Sequence, residues 1–159
     1  MAADLIDIRE ADFDVGAETA ALTAGDPAAG AVATFVGLVR DRNDGSGPGG
    51  VAAMSLEHYP GMTEKALAGI VEEARGRWDI FRVRVIHRVG DLSPGDRIVY
   101  VGVSSAHRGE AFAACEFIMD YLKTRAPFWK KEQTPNGARW VDARESDDQA
   151  AERWGGGGR

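Results

Sequence analysis

Two stretches of the chain repeat apolar residues every three or four positions, and the segments around them alternate or run apolar throughout. The spacing predicts one helix that opens at Pro60-Gly61 and continues for about four turns to Trp78, and another over residues 108–125. Pro127 ends the second helix, because the residue before a proline is pushed out of helical geometry. A chain that changes repeatedly between helical and strand periods has to combine helices with a sheet.

Strands and a short helix account for the other segments. Strands are predicted at residues 5–8, 30–40, 51–58, 81–88, 97–103, 128–133 and 138–143, and a short helix at 15–22. Residues 30–40 are apolar on both alternating faces, which predicts a strand buried on two sides. Pro135-Asn136-Gly137 predicts a hairpin between the last two strands.

These elements predict an α+β fold. We expect a mixed or antiparallel sheet with flanking helices, of the α/β-hammerhead kind, and a C-terminal β-hairpin. The expected organisation is a single domain over residues 1–154, with a glycine-rich loop at 41–50 and a flexible Gly-rich tail at 155–159.

The composition argues against several classes of protein. The net charge of −6 argues against a general nucleic-acid binder, which carries a basic patch. The single cysteine, Cys115, lies on an apolar helical stripe and is expected to be a core thiol. No Cys/His spacing is typical of a metal site, so we expect no metal and no cofactor. The N-terminus is unlike a signal peptide and no apolar run approaches the ~20 residues of a membrane span, so a cytoplasmic location is expected.

Charge is spread unevenly along this acidic chain. Residues 104–131 contain five Lys or Arg and three Asp or Glu. One interpretation is a small pocket that binds an anion. The alternative is a chance excess of positive charge on a solvated face.

The first candidate within this stretch is the predicted helix start, Ser104-Ser105-Ala106-His107-Arg108. Unpaired backbone N–H groups and the positive end of the helix dipole meet there, and an imidazole and a guanidinium would complete a cradle for phosphate or carboxylate. The alternative is that Ser104 or Ser105 caps the helix while His107 and Arg108 face water.

The second candidate is the pair of lysines, Lys123 and Lys130, on either side of Pro127. Lys123 lies in the last helical turn, and alternation after the proline places Lys130 on the face opposite Trp129 and Lys131. The bend could let both ammonium groups converge on one anionic ligand, where crowding between cations lowers a lysine pKa toward neutrality. The alternative is a solvated helix end, which is common for lysine runs.

Arg40 and two histidines close predicted strands. Arg40 leads from the strand at 30–40 into the loop at 41–50, a place where binding residues commonly gather. An ordinary strand edge is the alternative for Arg40. His58 and His87 each end a strand and are expected to be structural.

Several segments closely resemble the molybdopterin synthase large-subunit family. They are residues 56–65 (LEHYPGMTEK), 101–108 (VGVSSAHR), 119–131 (MDYLKTRAPFWKK) and 139–146 (RWVDARES). The similarity runs from about Gly30 to Trp154, and the run at 119–131 is highly specific.

The resemblance implies a sulfurtransferase of molybdenum cofactor biosynthesis. In this family the large subunit binds cyclic pyranopterin monophosphate, and a small ubiquitin-like subunit inserts its C-terminal Gly-Gly thiocarboxylate. Two sulfur transfers then form the dithiolene of molybdopterin, and the cyclic phosphate opens to a monoester. Large subunits dimerise and one small subunit docks at each distal end, which implies a heterotetramer.

The same resemblance implies roles for individual residues. Lys123 matches the catalytic lysine, and Lys130 assists it. The implied substrate-binding residues are Leu38, Val39, Arg40, His107, Arg108, Lys123, Lys130, Lys131 and Glu132. A non-catalytic module that binds an anion or a peptide C-terminus would use the same cations, so it stays open as an alternative.

Overall fold

The computed structural model describes residues 4–40, 53–134, 137–141, 151–152 and 154–155. Along the chain they form β1 (Leu5–Arg9), α1 (Val15–Ala21), β2 (Ala31–Leu38), β3 (Ala53–His58), α2 (Met62–Arg77), β4 (Ile80–Arg88), β5 (Gly90–Leu92), β6 (Arg97–Ser105), α3 (Arg108–Arg125), β7 (Phe128–Thr134) and β8 (Gly137–Val141). No helix among these is long and apolar enough to cross a membrane. The loop predicted at 41–50 and residues 156–159 of the predicted tail lie outside the described residues.

The strands form two sheets. The first has the order β1-β4-β6-β2, in which β1 pairs with β4 in parallel and the other pairs are antiparallel. The second has the order β5-β3-β7-β8 and is antiparallel. These sheets confirm the predicted α+β fold, and the pairing of Thr134 with Gly137 confirms the C-terminal hairpin. The short strand β5 was not predicted, because three residues are too few to show alternation.

The prediction that residues 30–40 are buried on both sides is wrong. β2 is the last strand of the first sheet, and its Val32, Phe35 and Leu38 are 37%, 42% and 56% exposed. Within the described part of the chain, no strand pairs with the outer edge of β2. An apolar edge strand exposed in this way is a surface that proteins usually cover.

The main core lies between the first sheet and the helices α2 and α3. The buried stripe of α3 includes Ala111, Ala114, Cys115, Phe117, Ile118 and Leu122. The Cys115 thiol donates to the Val101 carbonyl of β6 at 3.7 Å, and burial raises the pKa of this thiol to about 12. The prediction of a core thiol is therefore confirmed.

The path of α3 decides which residues share an end of the sheet. Ser105 at the end of β6 pairs with Ala31 at the start of β2, and α3 begins just beyond, at Arg108. The contact between Cys115 and Val101 shows that α3 then runs back along β6, antiparallel to it. Since β2 is also antiparallel to β6, α3 and β2 begin at one end of the sheet and finish at the other.

Trp154 attaches the C-terminal part of the chain to the helices. Its indole N–H donates to the Asp120 carboxylate of α3 at 2.6 Å. Its ring lies edge-on to Trp78 and Phe117, with centroids 5.5 and 5.6 Å away. The aromatic contacts and the hydrogen bond together close one side of the core.

We expect Trp154→Ala to lower the free energy of unfolding by about 2–3 kcal/mol, because it removes a half-buried ring and leaves a cavity. Urea denaturation followed by circular dichroism measures the change. Trp129→Ala is the matched control, since Trp129 is 46% exposed, and it should cost less than about 1 kcal/mol. Equal losses for the two variants would contradict the role assigned to Trp154.

Candidate functional site

A tight corner connects α3 to β7. Lys123 is exposed in the last turn of α3, and Ala126 leaves the helical conformation with φ −80° and ψ 132°, as Pro127 predicts. The Phe128 N–H donates to the Ala126 carbonyl at 2.9 Å, which bends the chain directly into β7. We call residues 126–128 the Pro127 corner. It leaves Lys123 and Lys130 on either side of one short, bent connection.

Lys130 lies on the inner face of the second sheet. Strand side chains alternate, so Lys130 shares a face with Phe128, and Trp129 points to the opposite, exposed face. Lys130 pairs with Leu56, whose side chain is buried on the same inner face. Lys130 is therefore half-buried, with its stem beside apolar residues of the inner face.

His87 connects the two lysines. Its imidazole, on β4 of the first sheet, stacks on the Phe128 ring with centroids 4.0 Å apart and planes inclined by 23°. The Lys123 ammonium lies close enough to lower the pKa of His87. Because Phe128 and Lys130 share one face, Lys123 and Lys130 approach the same region, one from α3 and the other from β7.

His87 is uncharged at neutral pH. Burial is the largest of the effects that lower its pKa to about 4, and the charges of Lys123 and His58 act in the same direction. The Nδ1 atom lies 2.8 Å from the Arg88 carbonyl oxygen, which can only accept, so Nδ1 carries the proton. The His87 imidazole is therefore neutral and buried, and it lies near the side chain of Lys123.

Arg40 follows β2 at this same end of the first sheet. The preceding Val39 is buried against Met54 and Leu92, which belong to the second sheet. This packing holds the end of β2 beside the sheet that carries Lys130. Leu38 and Arg40, on either side of Val39, are exposed.

His107 and Arg108 lie at the opposite end of α3. Both are exposed, and His107 is the N-cap residue without a side-chain capping bond. The alternative that Ser104 or Ser105 caps the helix is wrong. Both serines are fully buried in β6, and their hydroxyls bond to backbone groups at the start of β4, at 3.0 and 2.7 Å.

One copy of the chain does not bring all the predicted residues together. Arg108 and Lys123 are fifteen helical residues apart, which places their backbones about 22 Å from each other. We call the two lysines, Lys123 and Lys130, together with Arg40, the lysine group. We call His107 and Arg108 the helix-start pair. The two groups lie at opposite ends of the first sheet.

Lys131 and Glu132 occupy the next two positions of β7. They pair with Ser55 and Met54 of β3 on one edge of the strand. β8 pairs with the other edge. The backbone that carries these two predicted site residues is therefore held on both sides.

The lysine group suits an anion better than a metal ion. In the described part of the chain, no three His, Cys, Asp or Glu side chains gather as metal ligands would. Three cationic side chains at one end of the sheet would repel a metal ion and attract a phosphate or a carboxylate.

One residue that shapes this region was not singled out from the sequence. Thr63, fully buried in the first turn of α2, donates its hydroxyl to the Pro127 carbonyl at 3.0 Å and accepts from the Tyr59 N–H at 3.0 Å. A threonine near a helix start is common, so nothing in the sequence marked it. The contact depends on how α2 packs against the Pro127 corner.

Known proteins share this sequence and this architecture. The model of the MoaE protein family matches residues 8–125. A molybdopterin synthase catalytic subunit from Ralstonia nicotianae is 69% identical over 150 residues, which are 94% of this chain and 84% of that protein. The solved molybdopterin biosynthesis MoaE protein from Burkholderia ambifaria has 59% identity and a TM-score of 0.81, covering 96% of this chain and 98% of that one. The chain belongs to the MoaE family.

Membership of the MoaE family confirms the predicted resemblance and the prediction that the chain is an enzyme. A more distant structure, a complex of subunits 1 and 2 of molybdopterin-converting factor from Helicobacter pylori, shares the fold. Its chain is 20% identical with a TM-score of 0.70, covering 87% of this chain and 90% of that one. The roles of the individual site residues stay predictions.

His87 makes the stability of this MoaE-family chain depend on pH. Its pKa is about 4 in the fold and about 6.5 in an unfolded chain, so between these values the unfolded state binds the proton more readily. The contribution of His87 to the free energy of unfolding is fully present above pH 6.5. It falls by about 3 kcal/mol as the pH drops to 4. Lys123 and His58 are the charged or titratable groups that act on the ring.

We expect the free energy of unfolding of the wild type to fall more steeply between pH 7 and pH 4 than that of His87→Phe, which has no group to protonate at this place. Chemical denaturation at four or five pH values measures both curves. Parallel curves would show that His87 is not buried as a neutral ring.

Proposed function

We propose that this chain transfers sulfur to cyclic pyranopterin monophosphate in two rounds, which gives the dithiolene of molybdopterin. The donor is the C-terminal thiocarboxylate of a small ubiquitin-like subunit. The observation that carries the proposal is the stack of His87, which Lys123 approaches, on Phe128 of the strand that carries Lys130. A cyclic phosphate and a thiocarboxylate are both anions, so one group of cations suits both. The name shared by the close relatives supports the same chemistry.

Lys123 takes the central role in this proposal. Its ammonium orients the thiocarboxylate and assists proton transfer as the partner's acyl group is released from the sulfur. Lys130, half-buried on the neighbouring face, adds positive charge next to Lys123. Two cations near one anion each contribute about 4 kcal/mol of Coulomb energy at ~4 Å and an effective dielectric constant near 20, before desolvation is subtracted.

The small subunit is the proposed partner. The Helicobacter pylori structure is a complex of two different subunits, and one of its chains shares the present fold. We extend this to a heterotetramer with two large and two small subunits. A cytoplasmic location belongs to the same proposal.

A second copy of the chain supplies the helix-start pair. The exposed apolar edge of β2 is the surface on which we place it, because Val32, Phe35 and Leu38 would be covered there. Two identical edges related by a two-fold axis meet antiparallel. The start of one β2, next to His107 and Arg108, then lies beside the end of the other β2, next to Arg40. Each site thus combines the lysine group of one copy with the helix-start pair of its partner.

We expect Lys123→Ala to abolish conversion of cyclic pyranopterin monophosphate, because the cation that orients the thiocarboxylate is lost. The assay supplies precursor and thiocarboxylated small subunit and measures the fluorescent oxidised pterin product. Arg125→Ala is the matched control on the same helical turn: Arg125 stacks on Tyr121 and pairs with Glu73, so its loss should leave the rate nearly unchanged.

The same assay separates the proposal from a non-catalytic binding module. A binding module would retain the partner and precursor but form no product with the wild type. Wild-type rates for Lys123→Ala would leave the enzyme in place and remove the role of Lys123.

We expect activity to return when two inactive variants, Lys123→Ala and Arg108→Ala, are unfolded together and refolded as a mixture. A mixed dimer has one site with both defects and one intact site, so random mixing restores about a quarter of the wild-type activity. The same variants refolded separately and then combined without exchange are the control. No recovery in the refolded mixture would contradict a site shared between two copies.

A further inference from the structure

His87 is a buried side chain that the proposed chemistry does not use. It lies near the end of β4, an interior strand of the first sheet that pairs with β1 and β6. The side chain is 5% exposed, and its Nδ1–H bond to the Arg88 carbonyl fixes the plane of the ring. A rigid, neutral ring is therefore held on a strand that is paired on both edges.

The ring faces the element that carries Lys130. Phe128 is the first residue of β7, in the second sheet, and the stack of His87 on Phe128 joins the two sheets at 4.0 Å. Lys130 is two residues further along β7 and on the same face as Phe128. The stack therefore sets how the strand that carries Lys130 lies against the first sheet.

The Pro127 corner is held from a second direction as well. The Thr63 hydroxyl of α2 bonds to the Pro127 carbonyl, one residue before Phe128. This bond ties the corner to α2. The stack with His87 ties it to β4 of the first sheet.

We propose that His87 is a positioning residue for the lysine pair: by stacking on Phe128 it fixes the Pro127 corner and so sets where Lys130 lies relative to Lys123. The inference rests on the proposed function of these lysines. It goes beyond that function by assigning a role to a residue that touches neither the phosphate nor the thiocarboxylate. A neutral ring is suited to this role, since a charged one would repel the Lys123 ammonium.

Two replacements separate the stack from the rest of the side chain. His87→Phe and His87→Leu both remain uncharged and both lose the Nδ1 donor, but only phenylalanine keeps a flat ring against Phe128. We expect His87→Phe to retain most of the turnover rate and His87→Leu to lose about 10- to 100-fold in kcat, because small displacements of reacting groups are costly. Ile86→Ala is the control, since Ile86 is fully buried on the same strand but packs with Phe13 and Tyr100 instead.

A structural measurement tests the inference without the substrate. Lysines are reductively methylated with ¹³C, and the signals of Lys123 and Lys130 are assigned through Lys123→Arg and Lys130→Arg. We expect both signals to shift in His87→Leu and to keep their positions in His87→Phe and Ile86→Ala.

Unchanged signals in His87→Leu, or equal kcat values for all three variants, would overturn the inference. If the wild type forms no product, the proposed function fails, and the methyl signals still report whether His87 positions the two lysines. If the wild type is active and His87→Leu is equally active, the proposed function stands and the role of His87 does not.

Discussion

The packing of α3 along β6 and β2 is the constraint on which the rest of the molecule depends. Its buried stripe forms much of the core, and each fully buried large apolar side chain contributes about 1.5–3 kcal/mol relative to an exposed one. The same packing sets the direction of the helix and therefore the end of the sheet at which each charged residue lies. The lysine group and the helix-start pair are separated because α3 is a straight element of eighteen residues that carries a cation near each end.

The Pro127 corner converts this packing into a site. The corner brings the end of a helix against the start of an interior strand, and Thr63 and His87 hold it from two directions.

The sequence predicted the helices and strands better than their arrangement. Periodicity located both long helices, and the turn residues Pro135-Asn136-Gly137 located the hairpin, since each of these patterns is local. The burial of β2 was predicted wrongly. Composition alone does not distinguish an apolar strand at a sheet edge from an apolar strand in a sheet interior. The hydroxyl contact of Thr63 and the stack of His87 on Phe128 join residues more than forty positions apart, and no spacing in the sequence signals such contacts.

The burial of Cys115 has a consequence for the proposed transfer of sulfur. It is the only cysteine of the chain, and with a pKa of about 12 only about one molecule in 10⁵ carries a thiolate at pH 7. A thiolate is the form that attacks acyl groups and exchanges with other sulfur species. Under the proposed function, the enzyme therefore has no reactive sulfur of its own to divert the cargo, and the yield of the transfer does not depend on a reducing agent to regenerate the protein.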